Sequence, residues 1–161
     1  MKKIKLSGRL KALADLIEPG ASVADIGTDH GFIPVYLAQK AQAKNIIASD
    51  ISAASLSAAR RSAAEYGVMD EIRFIAAPGL SGISAEDVDA IVIAGVGGET
   101  IIKILYETPW IKCRKIKLIL QPQSKLDLLA RFLYDNGCII TNTKIIRDKG
   151  KRYTVIQSET K

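Results

Sequence analysis

Hydrophobic positions along the chain follow two alternating periods. Residues 6–18 set Leu6, Leu10, Leu13, Leu16 and Ile17 along one face at helical spacing. Ser7 is placed to cap the start of that helix and Pro19-Gly20 to stop it. The apolar run SVADIG (22–27) is short and ends in glycine, which predicts a buried strand. Residues 33–40 predict a helix with Pro34 in its first turn, where the missing N–H costs little. NIIASD (45–50) predicts a strand ending in an acid, and 52–66 an alanine-rich helix closed by Gly67. Strands follow at 72–76, 88–95 and 116–121, with helices at 98–107 and at 125–137, the last ended by Gly137. CIITNTKII (138–146) and YTVIQS (153–158) flank RDKGKR, a hairpin. Five strands joined by crossovers require a parallel sheet with helices on both faces. The predicted class is therefore α/β, a doubly wound, mostly parallel sheet with a terminal antiparallel hairpin strand. No repeat, low-complexity tract or linker interrupts the pattern, so residues 1–161 read as one domain.

Composition narrows the class of protein. With 48% hydrophobic and 25% charged residues, 161 residues can bury a core without staples. Cys113 and Cys138 are too few for a disulfide framework and lack metal-ligand spacing, and His30 is the sole histidine, so no metal is expected. No apolar run reaches the roughly 18 residues of a membrane span. The basic N-terminus MKKIKLSGRLK has neither an apolar stretch nor a cleavage site, so a cytoplasmic, reduced protein is the expectation. The net charge of +6 is uneven: residues 1–100 carry 10 Lys/Arg against 12 Asp/Glu, residues 101–161 carry 13 against 5. That asymmetry points to a polyanionic partner, usually nucleic acid, with solubilising surface lysine as the competing reading.

In a doubly wound sheet, ligands bind beyond the carboxyl ends of the strands, near the switch point beside the first strand. The residues there are Asp25-Ile26-Gly27-Thr28-Asp29-His30-Gly31, Asp50, Ala77-Pro78-Gly79-Leu80, Ala94-Gly95-Val96-Gly97-Gly98 and Gln121-Pro122. The first loop departs from G-x-G-x-x-G because Asp29 takes the middle glycine's place and Asp25 lies two residues before Gly27. A pyrophosphate needs bare backbone N–H groups, and two carboxylates would repel it. A cationic ligand without phosphate, such as S-adenosylmethionine, fits better than a dinucleotide. Asp50 is then placed to accept hydrogen bonds from ribose hydroxyls. Glycines 95, 97 and 98 imply close backbone approach to a ligand, or simply a tight turn.

LSGRL (6–10), DIGTDHGFIP (25–34), IAGVGG (93–98) and LILQP (118–122) together resemble the bacterial tRNA adenine-22 N1-methyltransferases, from Lys5 to about Ser158. The resemblance implies a Rossmann-like methyltransferase fold, S-adenosylmethionine as cofactor and tRNA as partner, with methyl transfer to N1 of an adenine in the D-arm region. It implies that residues 1–18 cap the cofactor edge. By position the cofactor would be held by Asp25, Gly27, Thr28, Gly31, Asp50, Ile51, Pro78, Gly79, Ala94 and Gly95, with Arg9, Gly97, Gly98, Gln121 and Pro122 bordering the substrate. Four positions depart from the family pattern. Gly31-Phe32 replaces alanine-tyrosine, Ala77-Pro78-Gly79-Leu80 replaces GDGL, Asp50 replaces a glutamate, and Val96 replaces a methionine. The family's helical C-terminal extension is also expected to be missing, since this chain stops just after its last strand.

For such a transfer, aligning N1, methyl carbon and sulfur can supply about 7–11 kcal/mol of the barrier. Attack leaves positive charge on the purine, which a carboxylate or imidazole can stabilise while accepting an N6 proton. Asp29 and His30 are the candidates, and Phe32 is placed to stack on a base extracted from its neighbours. The hairpin tip carries Arg147, Lys149, Lys151 and Arg152 at the active-site edge, a contact for RNA phosphates. Lys112, Arg114, Lys115 and Lys117 precede the fifth strand, lie at the opposite edge and read as solvation. The competing readings are a methyltransferase of another RNA or a small molecule, and a non-catalytic RNA-binding domain. A small-molecule enzyme would need a lid, and no loop exceeds about a dozen residues. Oligomeric state is left open.

Overall fold

The computed structural model describes residues 2–161. The strands are β1 (Ser22–Ile26), β2 (Asn45–Asp50), β3 (Ile72–Ala76), β4 (Ala90–Val96), β5 (Lys117–Pro122), β6 (Ile139–Asp148) and β7 (Lys151–Glu159). They form one sheet in the order β3-β2-β1-β4-β5-β7-β6. Pairings among β1 to β5 are parallel, and β7 pairs antiparallel with both β5 and β6. β6 therefore runs in the same direction as β5, and β7 is the one strand that opposes the rest. The hairpin does not simply extend the sheet. Its second strand inserts next to β5, where Val155, Ile156 and Ser158 are buried, and β6 is left as an exposed edge.

The helices are α1 (Gly8–Ala14), α2 (Phe32–Gln39), α3 (Ala53–Glu65), α4 (Gly98–Tyr106) and α5 (Leu126–Asp135). Alternate strand residues feed two apolar cores, as the period of two requires. Val23, Ile46, Val92, Ile119 and Val155 pack with Leu13 and Leu37 of α1 and α2. Ala24, Ile47, Ile93 and Leu120 pack on the other face with Ile101, Leu105, Leu129 and Leu133 of α4 and α5. β1 neighbours both β2 and β4, so the chain changes direction across the sheet there and a crevice opens above the carboxyl ends of those strands.

Some element ends differ from expectation. α1 stops at Ala14, because Leu16 and Ile17 donate backbone bonds three residues back, to Leu13 and Ala14, and tighten the final turn. Ser7 occupies the cap position of α1 without a side-chain bond, whereas the Ser52 hydroxyl accepts from the Ser55 N–H at the start of α3. α5 begins after Lys125, which is left-handed at φ 56°. No helix among the described residues is long and apolar enough to cross a membrane.

Candidate active site

The loop after β1 is held in an unusual path. Gly27, Asp29 and Gly31 are all left-handed, at φ 70°, 54° and 71°. The Gly27 and Thr28 N–H groups both donate to the Ser49 carbonyl at 2.9 and 3.0 Å. Gly31 is required twice over, by its positive φ and because a Cβ there would sit 2.8 Å from Cβ of Ala59 on α3. Asp50 braces the same loop: its carboxylate accepts from the Asp29 N–H and the Ser52 N–H, each at 2.9 Å. The acid expected to receive ribose hydroxyls thus also fixes the residue expected to act on the substrate.

These elements enclose a cleft of about 520 Å³ above β1, β2 and β4. Arg9, Asp25, Gly27, Thr28, Asp29, His30, Phe32, Asp50, Ile51, Ala94 and Gly95 all line it, so most of the residues picked from sequence come together. Pro78 and Gly79 line an adjoining hollow of about 230 Å³ that shares Gly27, Asp50, Ile51 and Val96 with the cleft. A hollow of about 750 Å³ lies at the opposite edge, around the amino ends of β2 and β3. It is larger, but it lacks the strand-end acids and sits where doubly wound sheets do not bind ligands.

Asp25 forms the floor. It is buried and accepts a 2.8 Å hydrogen bond from the Thr28 hydroxyl. Burial pushes its carboxyl up to about 7; the Thr28 bond opposes this, nearby Asp50 adds to it, and the Arg9 charge lowers it slightly. Arg9 enters the cleft from α1, where its Nη1 donates to Gln121 Oε1 at 3.0 Å and its guanidinium lies over the Tyr153 ring at 5.3 Å. The same Gln121 oxygen accepts from the Gly95 N–H at 3.1 Å. At the rim, the His30 and Phe32 rings stack at 5.3 Å with an interplanar angle of 18°, both exposed, and Asp29 Oδ2 lies 3.9 Å from His30 Nε2.

Four residues expected to border the substrate do not line the cleft. A Cβ on Gly98 would fall 2.6 Å from the Ser124 carbonyl oxygen and 2.7 Å from that of Lys125, so this glycine serves packing of α4 against the β5–α5 loop. Gly97 likewise faces Ser124, its Cβ position 3.1 Å from the hydroxyl. Gln121 is 1% exposed and acts through Arg9 and Gly95, and Pro122 is buried beside it. Sequence reasoning missed Ser55, Val96, Gln123 and Tyr153. Val96 stands inside a marked motif without having been given a role, Gln123 directly follows Pro122, Ser55 lies one helical turn into α3, and Tyr153 reaches Arg9 only through strand pairing that no local pattern reveals.

Arg147, Lys149, Lys151 and Arg152 are exposed at the tip of the β6–β7 hairpin, on the cleft's edge of the sheet. The tip is tied to α1 by a 3.1 Å bond from the Arg9 N–H to Asp148 Oδ2. The cations at the opposite edge do more than solvate: Arg114 bonds Asp89 and the carbonyls of Ala85 and Val88, and Lys117 and Lys115 pair with Glu18 and Glu159. Among the described residues no cluster of three His, Cys, Asp or Glu side chains could hold a metal ion.

The donor set fits S-adenosylmethionine. A buried carboxylate bonded only to a hydroxyl suits an ammonium, and Asp50 keeps lone pairs for ribose after bracing the loop. The adjoining hollow, walled by Ile51, Pro78, Ile93 and Ile104, suits a flat apolar ring. Comparisons with known proteins agree. A family model described as a methyltransferase domain matches residues 6–156. The tRNA (adenine(22)-N(1))-methyltransferase of Bacillus subtilis is 34% identical over 99% of this chain and 67% of its own. A putative tRNA (m1A22) methyltransferase of Streptococcus pneumoniae, solved with S-adenosyl-L-methionine, superposes with a TM-score of 0.90 at 31% identity, over 97% of this chain and 73% of that one. TrmK of M. capricolum, solved with S-adenosylhomocysteine, superposes at 0.83 and 28% identity, over 96% and 69%.

Proposed function

Because the chain belongs to the tRNA (adenine(22)-N(1))-methyltransferase family, we propose that it methylates N1 of an adenine at position 22 of tRNA, in the D-arm region, using S-adenosylmethionine. The observation that carries this reading is the pairing of a buried, cation-seeking Asp25 on the cleft floor with an exposed Asp29 and a stacked His30–Phe32 pair at its rim. When bound, the cofactor supplies a methyl group already activated for attack.

The protein's part is then positioning and charge. Asp25 takes the ammonium, Asp50 the ribose hydroxyls, and Ile51, Pro78 and Gly79 wall the adenine hollow. The His30–Phe32 pair offers a flat surface on which an extruded adenine can stack. Attack through the N1 lone pair breaks the bond from methyl carbon to sulfur and leaves positive charge on the purine. Asp29 stabilises that charge and its carboxylate can receive a proton from N6. The exposed hairpin cations hold RNA phosphates, and the whole chain works as one catalytic unit, with α1 closing the cofactor edge. A tRNA substrate places this activity in the cytoplasm.

Incubation with labelled S-adenosylmethionine and tRNA, followed by mapping of the modified nucleoside, tests the reading. N1-methyladenosine at position 22 is expected, and label in small metabolites alone would reject the tRNA assignment. Asp29→Ala should lower the methylation rate by about 100-fold or more while calorimetry still detects cofactor binding. Full activity in that variant removes Asp29 from the chemistry.

A further inference from the structure

The tip of the β6–β7 hairpin holds one acid among its bases. Asp148 lies between Arg147 and Lys149 and faces Lys151 across the ladder. It nevertheless forms no ion pair among the described residues. A carboxylate there repels phosphates, so it opposes the RNA contact proposed for its neighbours. Its hydrogen bonding is spent elsewhere. Asp148 Oδ2 accepts from the Arg9 N–H at 3.1 Å, and Oδ1 lies 3.4 Å from where a Gly8 Cβ would stand. Arg9 is the second residue of α1, and an N–H at that place is one a capping side chain ordinarily satisfies. Ser7 holds the cap position and makes no such bond. The cap of α1 therefore comes from the hairpin tip, where an anion also suits the helix dipole.

With seven residues, α1 is far shorter than a helix that holds itself together in water, so its order depends on what it touches. Leu13 and Ala14 anchor its far end in the core, while Arg9 and Leu10 form part of the cleft wall. The Arg9 side chain bonds Gln121 at 3.0 Å, and the same Gln121 oxygen takes the Gly95 N–H at 3.1 Å. Direct contacts thus run from the hairpin tip through the first turn of α1 to the cleft. We propose that Asp148 is a positioning residue that couples the two binding events: tRNA on the hairpin steadies the tip and, through the cap, the α1 wall of the cleft. Each ligand then binds more tightly in the presence of the other. Whichever arrives first meets the cost of ordering tip and first turn together, and the second meets less of it. Linkage makes the gain equal in both directions. The inference rests on the RNA contact proposed above for the hairpin.

The test uses S-adenosylhomocysteine, which cannot turn over, and an unmodified tRNA transcript. Each is titrated into the full chain by calorimetry, alone and with the other at saturation. In the wild type each ligand should raise the affinity of the other by about 5- to 10-fold. In Asp148→Ala that factor should fall to near one, while tRNA affinity without cofactor holds or rises as the repulsion is removed. Asp148→Asn keeps an oxygen for the Arg9 N–H and should retain the coupling. Coupling that survives in the alanine variant, or that is lost equally in both variants, overturns the proposal. So does a wild type that binds both ligands independently. Where the alanine variant does not fold, hydrogen exchange on the wild type decides. Addition of tRNA alone should slow exchange across residues 7–14 more than across α5, no residue of which lines the cleft; equal slowing overturns the proposal. If Lys149→Asp with Lys151→Glu leaves tRNA affinity unmoved, the hairpin contact itself fails and the proposal falls with it, a result distinct from loss of coupling alone.

Discussion

Asp25 is the penultimate residue of β1, with 5% of its surface exposed and the Thr28 hydroxyl bonded to its carboxylate. Its folded pKa of about 7 stands above the ordinary 3.8, burial being the main cause. A raised carboxylate binds its proton more tightly in the folded than in the unfolded chain. Its effect on stability is favourable at low pH and is lost as pH rises through 7. The free protein should therefore lose stability between about pH 4 and 7, by up to about 1.4 kcal/mol per pH unit from this group. Asp87 and Asp89 are held below their usual range by backbone hydrogen bonds and titrate at lower pH with the opposite slope. The clean measurement is thus the difference between wild type and Asp25→Asn in urea unfolding across that range. That difference should grow with pH and level off above 7, and a flat difference removes the shift. The same residue predicts that S-adenosylhomocysteine binds with release of a proton below pH 7, its affinity rising about tenfold from pH 5 to 6. Calorimetry in buffers of different ionisation enthalpy reads the proton directly. Asp25 and Asp50 were legible in the sequence because strand-end acids are local features. The bracing of Asp29 by Asp50 was not, because it depends on a left-handed turn that brings two separate loops together.

At the scale of elements, periodicity found the strands and helices because burial repeats every two or every 3.6 residues whatever the partner. Their ends were less legible. The early stop of α1 and the left-handed start of α5 follow from backbone bonds and loop contacts that side-chain pattern does not encode. Glycines show the same limit. The run at 95, 97 and 98 suggested ligand approach throughout, yet only Gly95 faces the cleft, while Gly97 and Gly98 make room for the β5–α5 loop. Gly27 and Gly31 have nearly the same backbone angle but different neighbours. Gly27 has open space, whereas Gly31 faces Ala59 at 2.8 Å. Gly27→Ala should therefore cost about 1–2 kcal/mol from strain alone, and Gly31→Ala more by about 1–3 kcal/mol of overpacking. Urea unfolding should rank them in that order. Ala59→Gly should recover part of the Gly31→Ala loss in a double-mutant cycle, after its own helix cost of about 1 kcal/mol is counted. Additive effects would show that the α3 contact does not limit the loop.

The charge of the whole molecule is divided by the sheet. At the edge away from the cleft, Arg114, Lys115 and Lys117 are paired with Asp89, Glu159 and Glu18, so that part of the basic excess is neutralised locally. At the cleft edge, Arg147, Lys149, Lys151 and Arg152 form no ion pair among the described residues. Composition could report the excess but not this division, which follows from β6 running in the direction of β5 and turning back at the active-site edge. The turn itself constrains the test. Lys149 and Gly150 both have positive φ, 51° and 77°, as a two-residue type I′ hairpin requires. Aspartate tolerates that conformation, so Lys149→Asp combined with Lys151→Glu reverses charge without opening the hairpin. If the tip holds RNA phosphates, the double variant should bind tRNA more weakly. The slope of log affinity against log salt should fall by about 1.5, near 0.7–0.9 for each lost contact. Affinity for S-adenosylmethionine should stay close to that of the wild type, since neither lysine lines the cleft. An unchanged salt slope with intact cofactor binding would move the RNA contact away from the hairpin and leave its unpaired charge without a ligand.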